Sequence, residues 1–337
     1  MHEPTGPDDL LDTGFAFGKA RVLLSAVELE VFSHLAGGPL DAAGLAERAG
    51  IHPRGARDFF DALVAMGLLE RQGGIYANSP QAEAYLVRSR PSYLGGRLAL
   101  WSRLYVTWGR LTAALRSGRP QDDATDSGKD LFRGLYQDPE AQRSFLAGMA
   151  GGSIILGKAI ARLFPWERYR TFVDVGTAQG ALPVQLALAH EHVSGVGFDL
   201  PPVGPVFEEY VASFGLSGRL RFHAGDFFTD PLPRGDVLVM GRVLHDWNLE
   251  EKRLLIAKAL EALPPGGALL VYEAIIDDER RRNLFGLLSS LNMLLMTQGG
   301  FDFTGAECRG WMGEAGFRET YVTPLTTHEA MVIGIKR

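Results

Sequence analysis

The chain has 337 residues, of which 46% are hydrophobic and 22% are charged, a composition typical of a globular protein large enough for two domains. Its net charge of -6 provides no overall attraction to nucleic acid or to an anionic membrane. The single cysteine, Cys308, excludes an internal disulfide and a cysteine-rich metal site. No secretion signal and no membrane-spanning run is found, so we expect a cytoplasmic protein.

The N-terminal part of the chain has the pattern of a winged helix. An amphipathic helix is predicted first, and it ends at a Gly-Gly-Pro sequence. Two shorter helices and a hairpin with a Gly-Gly turn follow it. The predicted ranges are 15–35, 40–49 and 54–69 for the helices and 70–77 for the hairpin.

The charges of the predicted helix 54–69 bear on what this winged helix does. Arg54 and Arg57 could contact DNA phosphates, but Asp58 and Asp61 on the same helix would repel them. This charge pattern favours a scaffold or dimerisation module over DNA binding. A winged-helix regulator that senses a ligand remains the alternative.

From residue 171 onward, apolar runs alternate with helical patterns, which predicts a doubly wound α/β sheet that is mainly parallel, with ligands at the carboxyl ends of its strands. We divide the chain into residues 1–100, 101–165 and 166–337: an N-terminal domain, linking helices and the α/β domain. The predicted strands are 171–175, 193–199, 220–223, 236–241, 268–274, 321–323 and 330–335. The predicted helices between them are 181–190, 203–214, 249–263 and 283–297.

The first strand of this domain ends in a glycine turn. Gly176 and Gly180 bound the turn, and Asp199 ends the second strand about 20 residues later, the interval at which an acidic side chain reaches ribose hydroxyls. The pattern predicts a nucleoside-cofactor site. Two glycines are fewer than a full dinucleotide fingerprint has, so an ordinary turn without a ligand is the alternative.

The later strands also end in groups that bear chemistry. Asp226 and Phe227 follow the third strand and could bind and stack on a base. His245 follows the fourth strand, where its near-neutral pKa would suit a general base, held by the carboxylates of Glu273 and Asp302. A structural histidine is the alternative. No metal-ligand spacing is found, so no metal ion is predicted.

Five motifs in fixed order resemble the S-adenosylmethionine-dependent O-methyltransferases of the caffeic acid and antibiotic-polyketide type. They are VDVGTAQG, GFDLP, AGDFF, RVLHDW and PPGGALLVYEAI, and the resemblance covers essentially the whole chain. It implies a Rossmann-like methyltransferase sheet and an N-terminal, mostly helical winged-helix dimerisation domain. It also implies S-adenosylmethionine as cofactor, a homodimer, and no nucleic-acid or membrane partner.

The resemblance also implies roles for individual residues. By this resemblance His245 would be the base, and it would be oriented by Glu273 and by Asp302, which stands where the plant enzymes have glutamate. Two departures concern the cofactor: Thr177-Ala178 stand where the family has glycines, and Gly241 stands where plant members have a lysine, so that its backbone or Arg242 would serve instead. The implied cofactor contacts are Gly176, Asp199, Leu200, Asp226, Phe227 and Gly241. The implied acceptor contacts are Trp101, Phe145, Met149, Met293, Met296 and Thr297.

The resulting prediction is an O-methyltransferase that methylates a hydroxyl of a small aromatic or polyketide-like molecule in specialised metabolism. His245 would remove the hydroxyl proton while the oxygen attacks the sulfonium methyl in line. The methionine-rich positions predict a flat apolar acceptor. Methylation of nitrogen or carbon on the same fold is the alternative within enzymes.

Overall fold

A computed structural model describes residues 6–90, 92–121 and 139–337; between 139 and 150 it describes the backbone and the side chain of Leu146 alone. The chain forms two compact units, Met1–Val106 and Thr107–Arg337. Among the described residues, no helix is long and apolar enough to cross a membrane.

The first unit combines helices with a small antiparallel sheet. Its strands lie in the order β1-β3-β2, and β2 and β3 form the predicted hairpin. Its strands are β1 (Leu40–Asp41), β2 (Leu69–Gln72) and β3 (Ile75–Asn78). Its helices are α1 (Pro7–Glu28), α2 (Val31–Leu35), α3 (Ala42–Ala49), α4 (Pro53–Ala65), α5 (Pro80–Tyr85) and the start of α6 (Gly95–Trp108).

Three predicted helix boundaries in this unit are wrong. The helix predicted over 15–35 begins earlier, at Pro7, and it breaks before α2 because Glu30 has a left-handed backbone, φ 51°. The helix predicted from residue 40 begins at Ala42, since Leu40 pairs with β3. The helix predicted to residue 69 ends at Ala65.

The second unit contains a seven-stranded sheet in the order β6-β5-β4-β7-β8-β10-β9. Strands β4 to β8 are parallel, and β10 is antiparallel to both β8 and β9. The strands are β4 (Thr171–Val175), β5 (Ser194–Asp199), β6 (Leu220–Ala224), β7 (Val237–Gly241), β8 (Ala268–Glu273), β9 (Glu319–Pro324) and β10 (Ala330–Ile335). The doubly wound α/β prediction is confirmed.

Helices cover both faces of this sheet, and each face has its own buried apolar core. The four predicted helices are present, each within a residue or two of its predicted ends. A further helix, α13, was not predicted, although Thr304 and Glu307 form a capping box at its start. The helices of this unit are α7 (Leu111–Ser117), α8 (Pro139–Leu163), α9 (Ala181–Ala189), α10 (Gly204–Ser213), α11 (Leu249–Ala262), α12 (Leu284–Met296) and α13 (Gly305–Ala315).

Candidate active site

The turn after β4 requires glycine at its first position. Gly176 has φ +74°, and a Cβ there would lie 2.7 Å from the Val243 side chain. Thr177 and Ala178, which depart from the family pattern, are accommodated differently. The Thr177 hydroxyl donates a hydrogen bond of 2.8 Å to buried Asp174, whereas Ala178 has a left-handed backbone, φ 51°.

Asp199 lies beside this turn at the end of β5. Its Oδ2 accepts a hydrogen bond of 2.9 Å from the Ala178 N–H, and its Oδ1 accepts one of 2.8 Å from the Leu200 N–H. Burial raises the pKa of Asp199 to about 6, although these two backbone donors oppose the rise. Each oxygen keeps a further lone pair, so the carboxylate can hold the turn and still accept from a ligand.

The segment after β6 lies next to Asp199. The Gly225 N–H donates a 2.9 Å hydrogen bond to the Asp199 carbonyl, which places the following residues at the same edge of the sheet. Asp226 and Phe227 are both half-buried there. Asp226 accepts a 2.9 Å hydrogen bond from the Phe228 N–H, and the Phe227 and Phe228 rings meet edge-on. Their predicted contact with adenine stays a prediction.

Glu273 supports the turn that carries His245. This 3₁₀ turn, Leu244–Asp246, follows β7. Oε1 of Glu273, at the end of β8, accepts hydrogen bonds of 3.1 Å from the backbone N–H groups of both Val243 and Leu244. The carboxylate therefore satisfies two buried backbone donors and fixes the turn beside the sheet.

His245 is buried among three carboxylates. Its Nδ1 lies 3.3 Å from Asp302 Oδ1 and 3.8 Å from Glu273 Oε2, and its Nε2 lies 3.5 Å from Asp246 Oδ1. The structure thus brings together the three predicted catalytic residues. Asp246, from the H-D-W motif, is a third carboxylate at the ring that sequence reasoning missed.

The charge state of His245 differs from the sequence expectation. Burial lowers its pKa, but Glu273, Asp246 and Asp302 more than offset that effect and raise the pKa to about 10. Burial raises the pKa of Glu273 to about 7 and that of Asp246 to about 6, while His245 opposes both shifts. The surrounding carboxylates therefore favour the imidazolium form of the ring in the free protein.

The same cluster has a spacing that a metal ion could use, since ligand atoms of His245, Glu273 and Asp302 lie within 4.8 Å of one another. An imidazolium satisfies these carboxylates without an ion. The sequence prediction of no metal therefore stays a prediction.

Lys252, on α11, is a second buried cation that sequence reasoning missed. Its Nζ donates a hydrogen bond to the Trp247 carbonyl and lies 3.5 Å from the centre of the Phe301 ring. Burial lowers its pKa to about 8, while nearby carboxylates oppose the shift. Nothing in the sequence distinguishes it from a surface lysine of an amphipathic helix.

At Gly241, where plant members of the family have a lysine, this chain has no room for a side chain. The Tyr272 ring lies against Gly241, and the Tyr272 hydroxyl is hydrogen-bonded to Ser153 of α8. Arg242 forms an ion pair with Glu329, and both side chains are largely buried. The Arg242 charge is thus neutralised within the protein.

The predicted acceptor residues lie in three places. Met293, Met296 and Thr297 are at the end of α12, where Thr297 caps the helix by donating a 2.8 Å hydrogen bond to the Met293 carbonyl. Trp101 belongs to the first unit and is half-exposed. The side chains of Phe145 and Met149 lie outside the described residues. The acceptor role of all six stays a prediction.

Comparison with known proteins gives matches over the whole chain. An O-methyltransferase domain matches residues 108–318, and an O-methyltransferase dimerisation domain matches residues 11–88. The tetracenomycin polyketide synthesis 8-O-methyl transferase TcmO of Streptomyces glaucescens is 47% identical over 98% of this chain and 97% of its own length.

Two further similarities bear on fold and chemistry. The N,N-dimethyltransferase OxyT of Streptomyces rimosus is 42% identical over 92% of this chain and 90% of its own length. The crystal structure of human N-acetylserotonin methyltransferase in complex with S-adenosylmethionine superposes with a TM-score of 0.89 at 29% identity, covering 100% of this chain and 99% of that one.

Proposed function

Since the chain belongs to the S-adenosylmethionine-dependent O-methyltransferase family, we propose that it methylates a hydroxyl of an aromatic, polyketide-type small molecule with His245 as the base. The observation that carries the proposal is the burial of His245 at the same sheet edge as the glycine turn and Asp199. An edge with both features suits a nucleoside cofactor and a proton acceptor together.

The residues at this edge fit S-adenosylmethionine. The left-handed turn at Gly176 exposes backbone to a ligand, and the Asp199 carboxylate retains lone pairs for ribose hydroxyls. Asp226 offers an acceptor for an exocyclic amine, and Phe227 offers an aromatic surface. The bound cofactor supplies an electrophilic methyl group on a positively charged sulfur.

The protein's own part in the reaction is to hold the acceptor and remove its proton. Asp302 and Glu273 face Nδ1 of His245 and fix the orientation of the ring. Nε2 is then the atom that takes the hydroxyl proton. Positioned proton transfer of this kind contributes ~10²- to 10⁴-fold in rate, and exclusion of water by the buried site strengthens each electrostatic contact.

Side chains at the end of α12, together with the similarity to TcmO, support an aromatic acceptor. Met293 and Met296 present adaptable thioether side chains, which suit a flat apolar ring system. Trp108 donates a 3.2 Å hydrogen bond to Asn292 of the same helix, which adds an aromatic wall to this region. TcmO is named for polyketide synthesis, and a fused aromatic phenol fits both observations.

The first unit serves as a dimerisation module in this proposal. The start of α1 exposes four large apolar side chains: Leu10, Leu11, Phe15 and Phe17. Such an apolar patch suits a partner surface, and the matched dimerisation domain, residues 11–88, covers all of these residues except Leu10. A homodimeric mass by light scattering supports this part, whereas a monomer at micromolar concentration contradicts it.

Methylation of nitrogen is the second candidate, because OxyT is named an N,N-dimethyltransferase. The proton-accepting cluster favours oxygen, since a neutral amine attacks the methyl before it loses a proton, whereas a phenol gains from earlier proton removal. Matched hydroxyl and amino derivatives of one ring system separate the two candidates.

The experiment uses labelled S-adenosylmethionine with a panel of hydroxylated naphthoates and anthraquinones and their amino counterparts. Label transferred to oxygen supports the proposal, and label transferred only to the amines favours the second candidate. Calorimetric titration with S-adenosylmethionine runs alongside. Absence of binding by the folded protein would refute both candidates.

A further inference from the structure

Three carboxylates enclose His245 from three separate parts of the second unit. Asp246 follows it in the chain, Glu273 ends β8, and Asp302 lies between α12 and α13. Their oxygens lie 3.5, 3.8 and 3.3 Å, respectively, from the nearest ring nitrogen. We call Asp246, Glu273 and Asp302 the carboxylate cage.

The carboxylate cage needs a positive charge close to it. Within the described part of the chain, Glu273 Oε2 and both Asp302 carboxylate oxygens are buried, and the ring of His245, with Nδ1 3.3 Å from Asp302 Oδ1, is the group that faces them. Buried carboxylates left without a counter-charge are strongly disfavoured. A cation at His245 meets this requirement, and the pKa of His245, raised to about 10, is consistent with it.

The other cations around the cage act at longer range. Lys252, from α11, has its ammonium on the Trp247 carbonyl and the Phe301 ring. Arg242, at the end of β7, pairs with Glu329. Lys252 and Arg242 contribute to the potential at the cage, but neither makes an ion pair with a cage carboxylate in the described residues.

The proposed reaction moves one positive charge within this site. The S–C bond breaks and its electron pair stays on sulfur, while a lone pair of the hydroxyl oxygen forms the new O–C bond. The O–H proton goes to Nε2 of His245. Before transfer the sulfonium is positive and the ring must be neutral; after transfer the thioether is neutral and the ring is positive.

We propose that the carboxylate cage holds one positive charge at a time, so that binding of S-adenosylmethionine expels the proton of His245 and thereby creates the base. The inference rests on the proposed function. Because one hydroxyl must contact both the donor methyl and Nε2, the two charges come within ~7 Å, where repulsion shifts a proton equilibrium by on the order of 100-fold. S-adenosylhomocysteine has no such charge and leaves the imidazolium in place.

Proton release on binding tests this directly. The full-length protein, treated with a chelator to remove any metal, is titrated at pH 8 with each nucleoside in two buffers of different ionisation enthalpy. A shift of about 100-fold from a pKa of about 10 leaves the bound ring about half protonated at pH 8, so S-adenosylmethionine should release about half a proton more than S-adenosylhomocysteine. The affinity for S-adenosylmethionine, relative to that for S-adenosylhomocysteine, should rise with pH. The rise should be up to about tenfold per pH unit below the pKa of His245 in the free protein. The ligands share their amino and carboxyl groups, so the difference isolates the sulfonium.

Variants assign the released proton to its residue. His245→Gln should bind both ligands and lose the difference in proton release. His192→Gln, which alters a histidine before β5 at the opposite ends of the parallel strands, should retain it. Asp302→Asn should shift the release to lower pH, because one carboxylate facing Nδ1 loses its charge.

The outcomes separate this inference from the proposed function. Equal proton release with both ligands in the native protein, or an undiminished difference in His245→Gln, would overturn the inference while leaving the methyltransferase proposal intact. Failure of the native protein to bind either nucleoside would refute the proposed function and this inference with it. If His245→Gln does not fold, an unshifted pH profile in Asp302→Asn overturns the inference.

Discussion

Tyr272 and Gly241, paired across the adjacent strands β7 and β8, are packed so closely that no side chain fits at Gly241. A Cβ at this position would lie 1.8 Å from Cζ of Tyr272. The tyrosine ring thus fills the space next to the Gly241 Cα that a side chain at this position would need. The end of β7 is closed on this face by an aromatic ring rather than a cation.

Gly241→Ala should therefore lower the free energy of unfolding by about 1–3 kcal/mol, because the buried ring must move to admit one methyl group. Gly313→Ala is the matched control. A Cβ at Gly313, inside α13, meets no atom within 4 Å, and the change should stabilise by about 0.5–1 kcal/mol. Urea unfolding of both variants measures this; equal effects would contradict the packing argument.

The left-handed backbone of Ala178 gives a second prediction. Ala178→Gly should leave stability unchanged or increase it, because glycine adopts φ 51° without strain and the N–H donor to Asp199 is kept. Ala212→Gly, at an exposed position of α10, should instead cost about 1 kcal/mol. Thermal unfolding distinguishes the two, and a comparable loss in both would show that Ala178 is unstrained.

Some features of the fold could be predicted because they depend on local pattern. The strands β4 and β10 were predicted with their observed bounds, since buried apolar runs ending at glycine or polar residues identify central strands. Helix α13 was missed, although its T-x-x-E capping box was visible in the sequence. The break at Glu30 has no such signal, because glutamate does not mark a left-handed turn.

The site was predictable in its residues but not in its charges. His245, Glu273 and Asp302 were recognised by motif, and they lie together. Their mutual electrostatics depend on burial and on distances of 3.3 to 3.8 Å, which only the tertiary structure supplies. The same holds for Lys252, whose burial against Phe301 follows from how α11 packs.

Asp174, a buried acid near the end of β4, makes the stability of the protein depend on pH. Burial raises its pKa to about 7; the Thr177 hydroxyl opposes the rise, and Asp199 adds to it. Asp174 thus loses its proton near pH 4 in the unfolded chain and near pH 7 in the folded chain. Because the folded chain holds this proton more tightly, the free energy of unfolding falls as the pH rises from about 4 to about 7.

Asp174→Asn should remove this pH dependence, because the amide is uncharged and its oxygen can still accept from Thr177. Without cofactor, the variant should match the native protein near pH 4 and exceed its stability at pH 8, the gap growing by up to about 1.4 kcal/mol per pH unit in between. Urea unfolding at several pH values is the measurement. Parallel stability curves would show that Asp174 is not buried as an acid.

Glu273 has two separable effects on the His245 turn. Glu273→Gln keeps an oxygen for the Val243 and Leu244 N–H groups but removes a charge beside the ring, so it should fold and shift the acid limb of turnover to lower pH. Glu273→Ala leaves both donors unpaired and should destabilise by about 2 kcal/mol or more. An acid limb unchanged in Glu273→Gln would contradict the electrostatic role.

Turnover of His245→Gln, measured beside its affinity for S-adenosylmethionine, tests most directly whether this residue is the base. With an aromatic hydroxyl acceptor identified in the labelled-methyl screen, we expect the variant to bind S-adenosylmethionine as tightly as the native protein or more tightly, and to turn over ~10²- to 10⁴-fold more slowly. Raising the pH toward the acceptor's own pKa should partly restore turnover, because an ionised phenol needs no base. Native turnover across the pH range, with binding intact, would show that His245 is a structural residue and not the base.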